Sequence, residues 1–345
     1  PDGVEPFTPL AKRLATPQRA RDNHSEEDNG CFVGITCWPG FDKESFSRLS
    51  NFCSFKREGY NFDEVTCCIR EAANQLFLEY NSKSRPEDME NHTINENKRK
   101  DGSKFTVIFH DFGVLTGLMF VNRSIEEKYF TEHRPDRVVL LDVINGPHQK
   151  FKTQFRHMPP YKNHEILVHV AYRGTYACAF AAARYLSSTI GIMVFGILWN
   201  FIKLSRLIPL RGIDMRMLAE RKMDLHHMDY TMYPYYNLFQ CLVYNTHALA
   251  KSSLPLDLVQ TPVLYLYGPE KNVMFHDHRS LAILEQEEAE GRSECRAVKV
   301  EGAGHWMYCQ RPDLCEQEIR KFLKSGNCND KAVFDENGNK LRSKL

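Results

Sequence analysis

The sequence predicts an α/β protein: a mostly parallel sheet with helices on both faces and a long helical insertion. Three observations predict it. Short apolar, β-branched runs recur along the chain and are separated by stretches of helical spacing, the alternation that produces a parallel sheet. One helical stretch, 147–258, is too long for a crossover between adjacent strands, so it is expected to lie as a lid over the carboxyl ends of the strands. Of the 345 residues, 42% are hydrophobic, enough for a sizeable core and too many for wholesale disorder.

The elements follow in order. A helical pattern covers 6–15 (PFTPLAKRLA) and a polar stretch follows to residue 30. Residues 31–36 (CFVGIT) read as a short buried strand, ended by the turn Trp38-Pro39-Gly40-Phe41. A helix is expected over 62–80, with Asp63 and Glu64 in the first turn, where the helix dipole favours acids. Residues 82–104 are polar and charged and read as an exposed loop, its Asn91-His92-Thr93 sequon being a chance match. The second strand, 105–110 (FTVIFH), runs into Asp111-Phe112-Gly113 and a helix from about Val114. Strands are expected at 137–143, 262–267 and 296–300, and a closing helix at 314–323. The tail from 326 is polar, with a turn at 335–339. The expected division is core 1–146, lid 147–258, core 259–325 and tail 326–345, with no internal repeat.

Charge narrows the function. Lys plus Arg number 45 and Asp plus Glu 44, so no global field draws the chain to a nucleic acid. The 11 cysteines are irregularly spaced, with no C-x-x-C pair and no Cys/His ligand cluster. They are expected to be free, mostly buried thiols of a cytoplasmic protein that holds no metal. Residues 185–202 (YLSSTIGIMVFGILWNFI) match a membrane span in length, but Ser187, Ser188, Thr189 and Asn200 dilute them and Arg184 and Lys203 flank them. A lid-type helix pair is expected, and an apolar lid suits an apolar substrate; membrane association through it is the less favoured reading.

Three residues stand where chemistry can converge. Asp111 lies at the strand-to-helix turn, either projecting from a sharp elbow toward backbone N–H donors or simply capping the helix. His305 lies on the small-residue loop Gly302-Ala303-Gly304-His305-Trp306, either turned inward or a surface histidine. Asp142 ends the strand beside that of Asp111, as a partner acid or a structural cap.

With these residues in place the chain resembles the α/β-hydrolase superfamily, most of all its aspartate-nucleophile branch of epoxide hydrolases and haloalkane or haloacetate dehalogenases. The resemblance rests on His110-Asp111-Phe112-Gly113, Arg134-Pro135-Asp136-Arg137-Val138, Gly304-His305 and Arg311-Pro312-Asp313. Thr36-Cys37-Trp38-Pro39-Gly40-Phe41 and the later Gly59-Tyr60 are similar to that family's post-strand glycine loop and the tyrosine after it. It implies a cofactor-independent two-step reaction. Asp111 attacks an electrophilic carbon and forms an ester; His305, oriented by an acid, activates water; and backbone N–H groups, including that of Phe112, hold the oxyanion. The partners implied are a small apolar substrate and water.

The resemblance leaves the orienting acid open. Many relatives carry it after the strand at 262–267 in a Gly-x-x-Asp pattern, but here the loop reads Gly268-Pro269-Glu270-Lys271. Asp142 is the first candidate, Glu270 the second and Asp277 a distant third, while Asp136 is expected to cap a turn. Phe112 offers no donor to a departing halide and no cation to a carboxylate, which weakens both dehalogenase readings. Epoxide opening needs an acid over the ring oxygen, usually lid tyrosines; the resemblance points to Tyr236, and less strongly to Tyr172, among many lid tyrosines that otherwise line an apolar pocket. Phe109, two residues before the nucleophile, departs from the small residue usual there.

In the family, a strand ending in His-Gly-x-Pro precedes the helix at 6–15 and lies between the strands at 31–36 and 105–110. Pro1-Asp2-Gly3 looks like the continuation of that motif, so the chain is expected to lack its N-terminal strands and, as it stands, to be poorly stable and inactive. The alternatives to an epoxide hydrolase are hydrolysis of another ester or halide, and a catalytically silent member that serves as a binding protein.

Overall fold

A computed structural model describes residues 7–16, 32–35, 59–84, 105–127, 134–204, 232–244, 249–255, 257–270, 276–325, 333–334 and 340–341. The core follows the expected alternation: α1 (Thr8–Ala15), α2 (Phe62–Ser84), β1 (Thr106–His110), α3 (Phe112–Glu126) and β2 (Arg137–Leu141). Between β2 and the next strand come α4 (Gln149–Lys152), α5 (Asn163–Tyr185), α6 (Ser188–Leu204) and α7 (Tyr233–Tyr244). Then follow β3 (Val263–Tyr267), α8 (His278–Glu290), β4 (Arg296–Lys299), α9 (Met307–Gln310) and α10 (Pro312–Ser325). The protein is α/β: the four strands pair in parallel in the order β1-β2-β3-β4.

Side-chain alternation builds two cores from one sheet, because successive residues of a strand point to opposite faces. Val138, Leu140, Val263 and Tyr265 pack with Val114, Leu118 and Leu284 on one face. Val139, Leu141, Leu264 and Leu266 pack with Leu10, Leu14, Ile319 and Phe322 on the other. A third cluster joins Phe112, Leu115 and Met119 of α3 to Tyr176, Phe180, Tyr233 and Tyr235 of the helical block. That block therefore sits on the amino-terminal turns of α3, above the carboxyl end of β1.

Several boundaries differ from the sequence reading. The helix α2 runs four residues past 80, through polar residues that a helix tolerates. Strand β2 stops at Leu141 because Asp142 takes φ 73, which breaks the extended run. Two short strands, β5 (Val333–Phe334) and β6 (Lys340–Leu341), which the sequence reading did not expect, pair antiparallel; the turn expected at 335–339 lies outside the described residues. The described part of the strand expected at 31–36, residues 32–35, forms no strand. It has no sheet neighbour among the described residues, and an apolar groove of about 640 Å³ separates it from β1. Leu10, Leu14, Ala73, Leu76 and Phe77 line this groove, which lies where the sequence reading puts a strand between the two segments. Accordingly β1 is half-buried throughout while β2 is fully buried.

The cysteine expectation is corrected in part. All seven described cysteines are free, but Cys67, Cys68 and Cys178 are exposed and only Cys295 and Cys315 are buried. Among the described residues no helix is long and apolar enough to cross a membrane. Pro1-Asp2-Gly3, the loop at 36–41, the sequon at 91–93 and Lys271 lie outside the described residues.

Candidate active site

The turn after β1 gives Asp111 an unusual backbone, φ 50 and ψ −126. Positive φ is uncommon for a residue with a Cβ, although Asp tolerates it better than most. Asp111 occupies the cap position of α3 yet its side chain makes no capping hydrogen bond. The capping alternative is thereby set aside.

The departure at Phe109 has a local answer. Its ring lies against Gly117, where an added Cβ would sit 2.4 Å from the ring Cγ. The bulk that the elbow does not accommodate on the strand is accepted by a missing side chain on α3. Gly117→Ala should therefore destabilise the fold by about 1–3 kcal/mol through overpacking, outweighing the ~1 kcal/mol that Ala gains in a helix. A thermal melt checks this, and pairing it with Phe109→Leu should recover most of the loss. An unchanged melting temperature for Gly117→Ala sinks the account.

Asp142 is likewise at positive φ and its side chain is fully buried. Its backbone is pinned twice: its N–H donates to Leu266 O at 2.8 Å, and its carbonyl accepts from the Tyr265 hydroxyl at 3.0 Å. The carboxylate then meets His305, Nδ1 to Oδ2 at 2.5 Å. The other ring nitrogen of His305 faces Asp111, Nε2 to Oδ2 at 3.9 Å. That gap exceeds a hydrogen bond and leaves the imidazole near, but not locked to, the elbow carboxylate.

The loop carrying His305 approaches β3 closely because residue 268 is glycine. A Cβ there would lie 2.3 Å from the Gly304 carbonyl oxygen and 2.4 Å from that of Ala303. The Gln310 side chain accepts from the Gly304 N–H at 2.7 Å and fixes the loop from below.

The other acids fall elsewhere. Glu270 donates its backbone N–H to Ala303 O, and Asp142 makes a hydrogen bond to His305. Glu270 follows β3 across the loop, whereas Asp142 ends β2 directly under the imidazole. Asp277 caps α8 and pairs with Arg279 at 2.6 Å. Asp136 accepts from the Phe105 N–H at 2.6 Å and ties the starts of β1 and β2, as a turn cap should.

The lid tyrosines fall into two settings. Tyr172 and Tyr235 bring their hydroxyls to 3.4 Å of each other, and Phe112 meets Tyr235 edge-on at 4.5 Å. Tyr236, the position indicated by the sequence, instead pairs its hydroxyl with that of Tyr185 at 3.3 Å, in an exposed setting. One residue along a helix turns a side chain by about 100°, so neighbouring tyrosines of α7 serve different faces. Tyr176 stacks on Tyr235 at 4.6 Å and completes the cluster. Burial raises all three phenol pKa values well above the usual tyrosine range, and the negative charge of Asp111 adds to it. These phenols keep their protons at neutral pH.

Two further residues stand beside these side chains: Tyr235, and His110 next to the elbow. The His110 ring lies 4.7 Å from that of His305 and its Nε2 is 3.3 Å from the His305 carbonyl oxygen. His110, Asp142 and His305 offer ligand atoms within 4.8 Å of one another, a spacing a cation could bridge. The His305 Nδ1 is however engaged by Asp142, and the His110 Nε2 by a backbone carbonyl.

No family model and no curated protein sequence matches the chain. Solved structures do. An epoxide hydrolase from Bacillus megaterium, bound to its product, aligns at 15% identity and TM-score 0.43, covering 79% of this chain and 78% of that one. An epoxide hydrolase from Vigna radiata aligns at 13% identity and TM-score 0.42, covering 78% and 77%. An esterase from a marine microorganism aligns at 14% identity and TM-score 0.35, covering 77% and 78%. These are distant likenesses, and the chemistry is read from the residues themselves.

Proposed function

We propose that the chain is an α/β-hydrolase that opens epoxides through an aspartyl ester, with the helical block 147–258 as its lid. One observation supports this above the rest: a carboxylate held at positive φ on a strand-to-helix elbow, facing a histidine that is hydrogen-bonded on its far side to a buried acid. In the first step a carboxylate oxygen of Asp111 bonds to an epoxide carbon as the ring C–O bond breaks. The ring oxygen takes a proton from the Tyr172–Tyr235 pair, and a hydroxy ester and a phenolate result. In the second step His305 Nε2 takes a proton from water, whose oxygen attacks the Asp111 carbonyl carbon. The Phe112 N–H, at the start of α3, receives the oxyanion in this reading. Collapse releases the diol, which leaves with the proton held by His305, and the remaining carboxyl proton returns to the phenolate.

Asp142 holds the His305 ring with Nδ1 as donor and Nε2 as acceptor, the tautomer a base needs, and it favours the imidazolium formed in the second step. Epoxides are preferred over halides because Phe112 supplies no halide donor while the lid supplies buried phenols. The free thiols suit the cytoplasmic setting expected from the sequence.

Single turnover in heavy-oxygen water tests the route. The label should enter the Asp111 carboxyl, read by peptide mass spectrometry, with the first equivalent of diol unlabelled. Direct water attack puts label in the diol and none in Asp111, and that result ends the proposal.

A further inference from the structure

We propose that Tyr265 and His276 are positioning residues for the second step, holding the turn at Asp142 in the shape that keeps its carboxylate on His305. The kinetic consequence rests on the aspartyl-ester reading; the geometry does not. Asp142 stands at the centre of a three-residue turn: the Val143 N–H donates to Leu141 O at 3.0 Å, and the residue between has φ 73. A γ-turn of positive central φ is the rare and strained kind, and such strain persists only where the surroundings over-determine it. This turn brings the carboxylate to 2.5 Å from His305 Nδ1, so a relaxed backbone would carry it off the ring. The Asp142 N–H is held by Leu266 O, a bond that any residue's N–H could make. The Asp142 carbonyl is held by a side chain: Tyr265 of β3, fully buried, donates its hydroxyl there at 3.0 Å.

Proton counting brings in His276. A phenol has one proton to donate, and a carbonyl oxygen can only accept. The Tyr265 proton is therefore committed to Asp142, and the Tyr265 oxygen accepts from His276 Nδ1, 3.3 Å away. His276 is buried and anchored beside the same turn. It forms a parallel bridge with Ile144, and the Asp277 N–H donates to Ile144 O at 3.0 Å. The ring of Tyr267 meets the His276 ring edge-on at 5.4 Å. The bonds thus run in one direction, from His276 Nδ1–H to the Tyr265 hydroxyl to the Asp142 carbonyl, and each polarises the next in a buried setting. They bear on the side of His305 that Asp142 holds, while Asp111 faces the other ring nitrogen. Loss of this support should slow ester hydrolysis, which needs the oriented imidazole, and spare ester formation, which does not.

Rapid-quench intact-mass spectrometry with an epoxide tests it, because it reads the two steps separately. In Tyr265→Phe, ester formation should stay within about threefold of the parent while ester hydrolysis falls at least about tenfold, so the adduct accumulates. His276→Leu should show the same split more weakly. His276→Asn, whose amide N–H can replace Nδ1–H, should return hydrolysis to within about threefold of the parent. Equal loss in both steps, or hydrolysis unchanged in Tyr265→Phe and His276→Leu, overturns the proposal. A second readout does not depend on the reaction: the far-downfield proton resonance of His305 Nδ1–H on Asp142, assigned by its disappearance in His305→Asn. It should be lost or broadened in Tyr265→Phe and kept in His276→Asn. If the parent forms no ester, the aspartyl reading fails, and this resonance alone decides the positioning role; its persistence unchanged in Tyr265→Phe overturns it.

Discussion

Asp111→Asn is expected to lower epoxide hydrolysis by at least about 10³-fold, and His305→Asn to stop it after one alkylation. The substitutions are chosen on the geometry. Asn tolerates positive φ nearly as well as Asp, so the elbow at φ 50 keeps its backbone and loses only the nucleophile. Asn at 305 keeps an N–H near the position of Nδ1, so the buried Asp142 carboxylate retains a donor. It has no base at the position of Nε2, 3.9 Å from Asp111, so water is no longer deprotonated there.

The two variants separate the two steps. With Asp111→Asn no ester forms and the protein mass stays constant under substrate. With His305→Asn the protein gains one substrate mass, at a rate set by the first step, and then stalls. Intact-mass spectrometry after rapid quenching reads both. Turnover by Asp111→Asn near the parent rate ends the aspartyl route. Turnover by His305→Asn near the parent rate, with no adduct, removes His305 from the base role.

Strands β1 to β4 were legible because each is an apolar, β-branched run between turns, and parallel order follows from the helices between them. The candidate site was legible where one position brings a side chain to the strand ends: Asp111 at a strand end and His305 on a small-residue loop come within 3.9 Å. It was not legible where a role depends on phase or on what is absent. Tyr235 and Tyr236 are adjacent in sequence, and only the rotation of α7 tells which meets Phe112. Phe109 looked like a defect until Gly117, eight residues on, was seen to receive its ring. Residues 32–35 have the composition of a strand, but a strand needs a neighbour to bond with, and composition says nothing of one. Asp142 outranked Glu270 only as a first candidate, because both follow parallel strands; the sequence does not show that the His305 loop comes to 2.5 Å of Asp142.

The second large effect is alkaline unfolding. Burial pushes the thiols of Cys295 and Cys315 up to about 12. Burial likewise raises the phenols of Tyr172, Tyr176, Tyr235 and Tyr265, the last with help from the charge of Asp142. Each group binds its proton more tightly when folded, so its stability contribution is whole below the unfolded pKa and is lost as pH rises toward the folded one. The window opens near pH 9 for the thiols and near pH 10 for the phenols, the values of the unfolded chain. Within its window each group costs about 1.4 kcal/mol per pH unit. The two thiols together approach about 3 kcal/mol per pH unit once the pH is well above 9, and the phenols add to the loss in the same direction above pH 10. Since a domain of ordinary stability holds only ~5–15 kcal/mol, the chain should unfold cooperatively in the alkaline range. The buried phenols ionise only as the fold opens, so the last part of the rise in tyrosinate absorbance should coincide with the loss of far-ultraviolet circular dichroism. Cys295→Ala together with Cys315→Ala should flatten the first part of the decline without moving the tyrosinate step off the unfolding step. Tyrosinate signal from every tyrosine near pH 10, with the helix signal intact, would show these phenols open to solvent, and the proton donors assigned to the site would lose their physical basis.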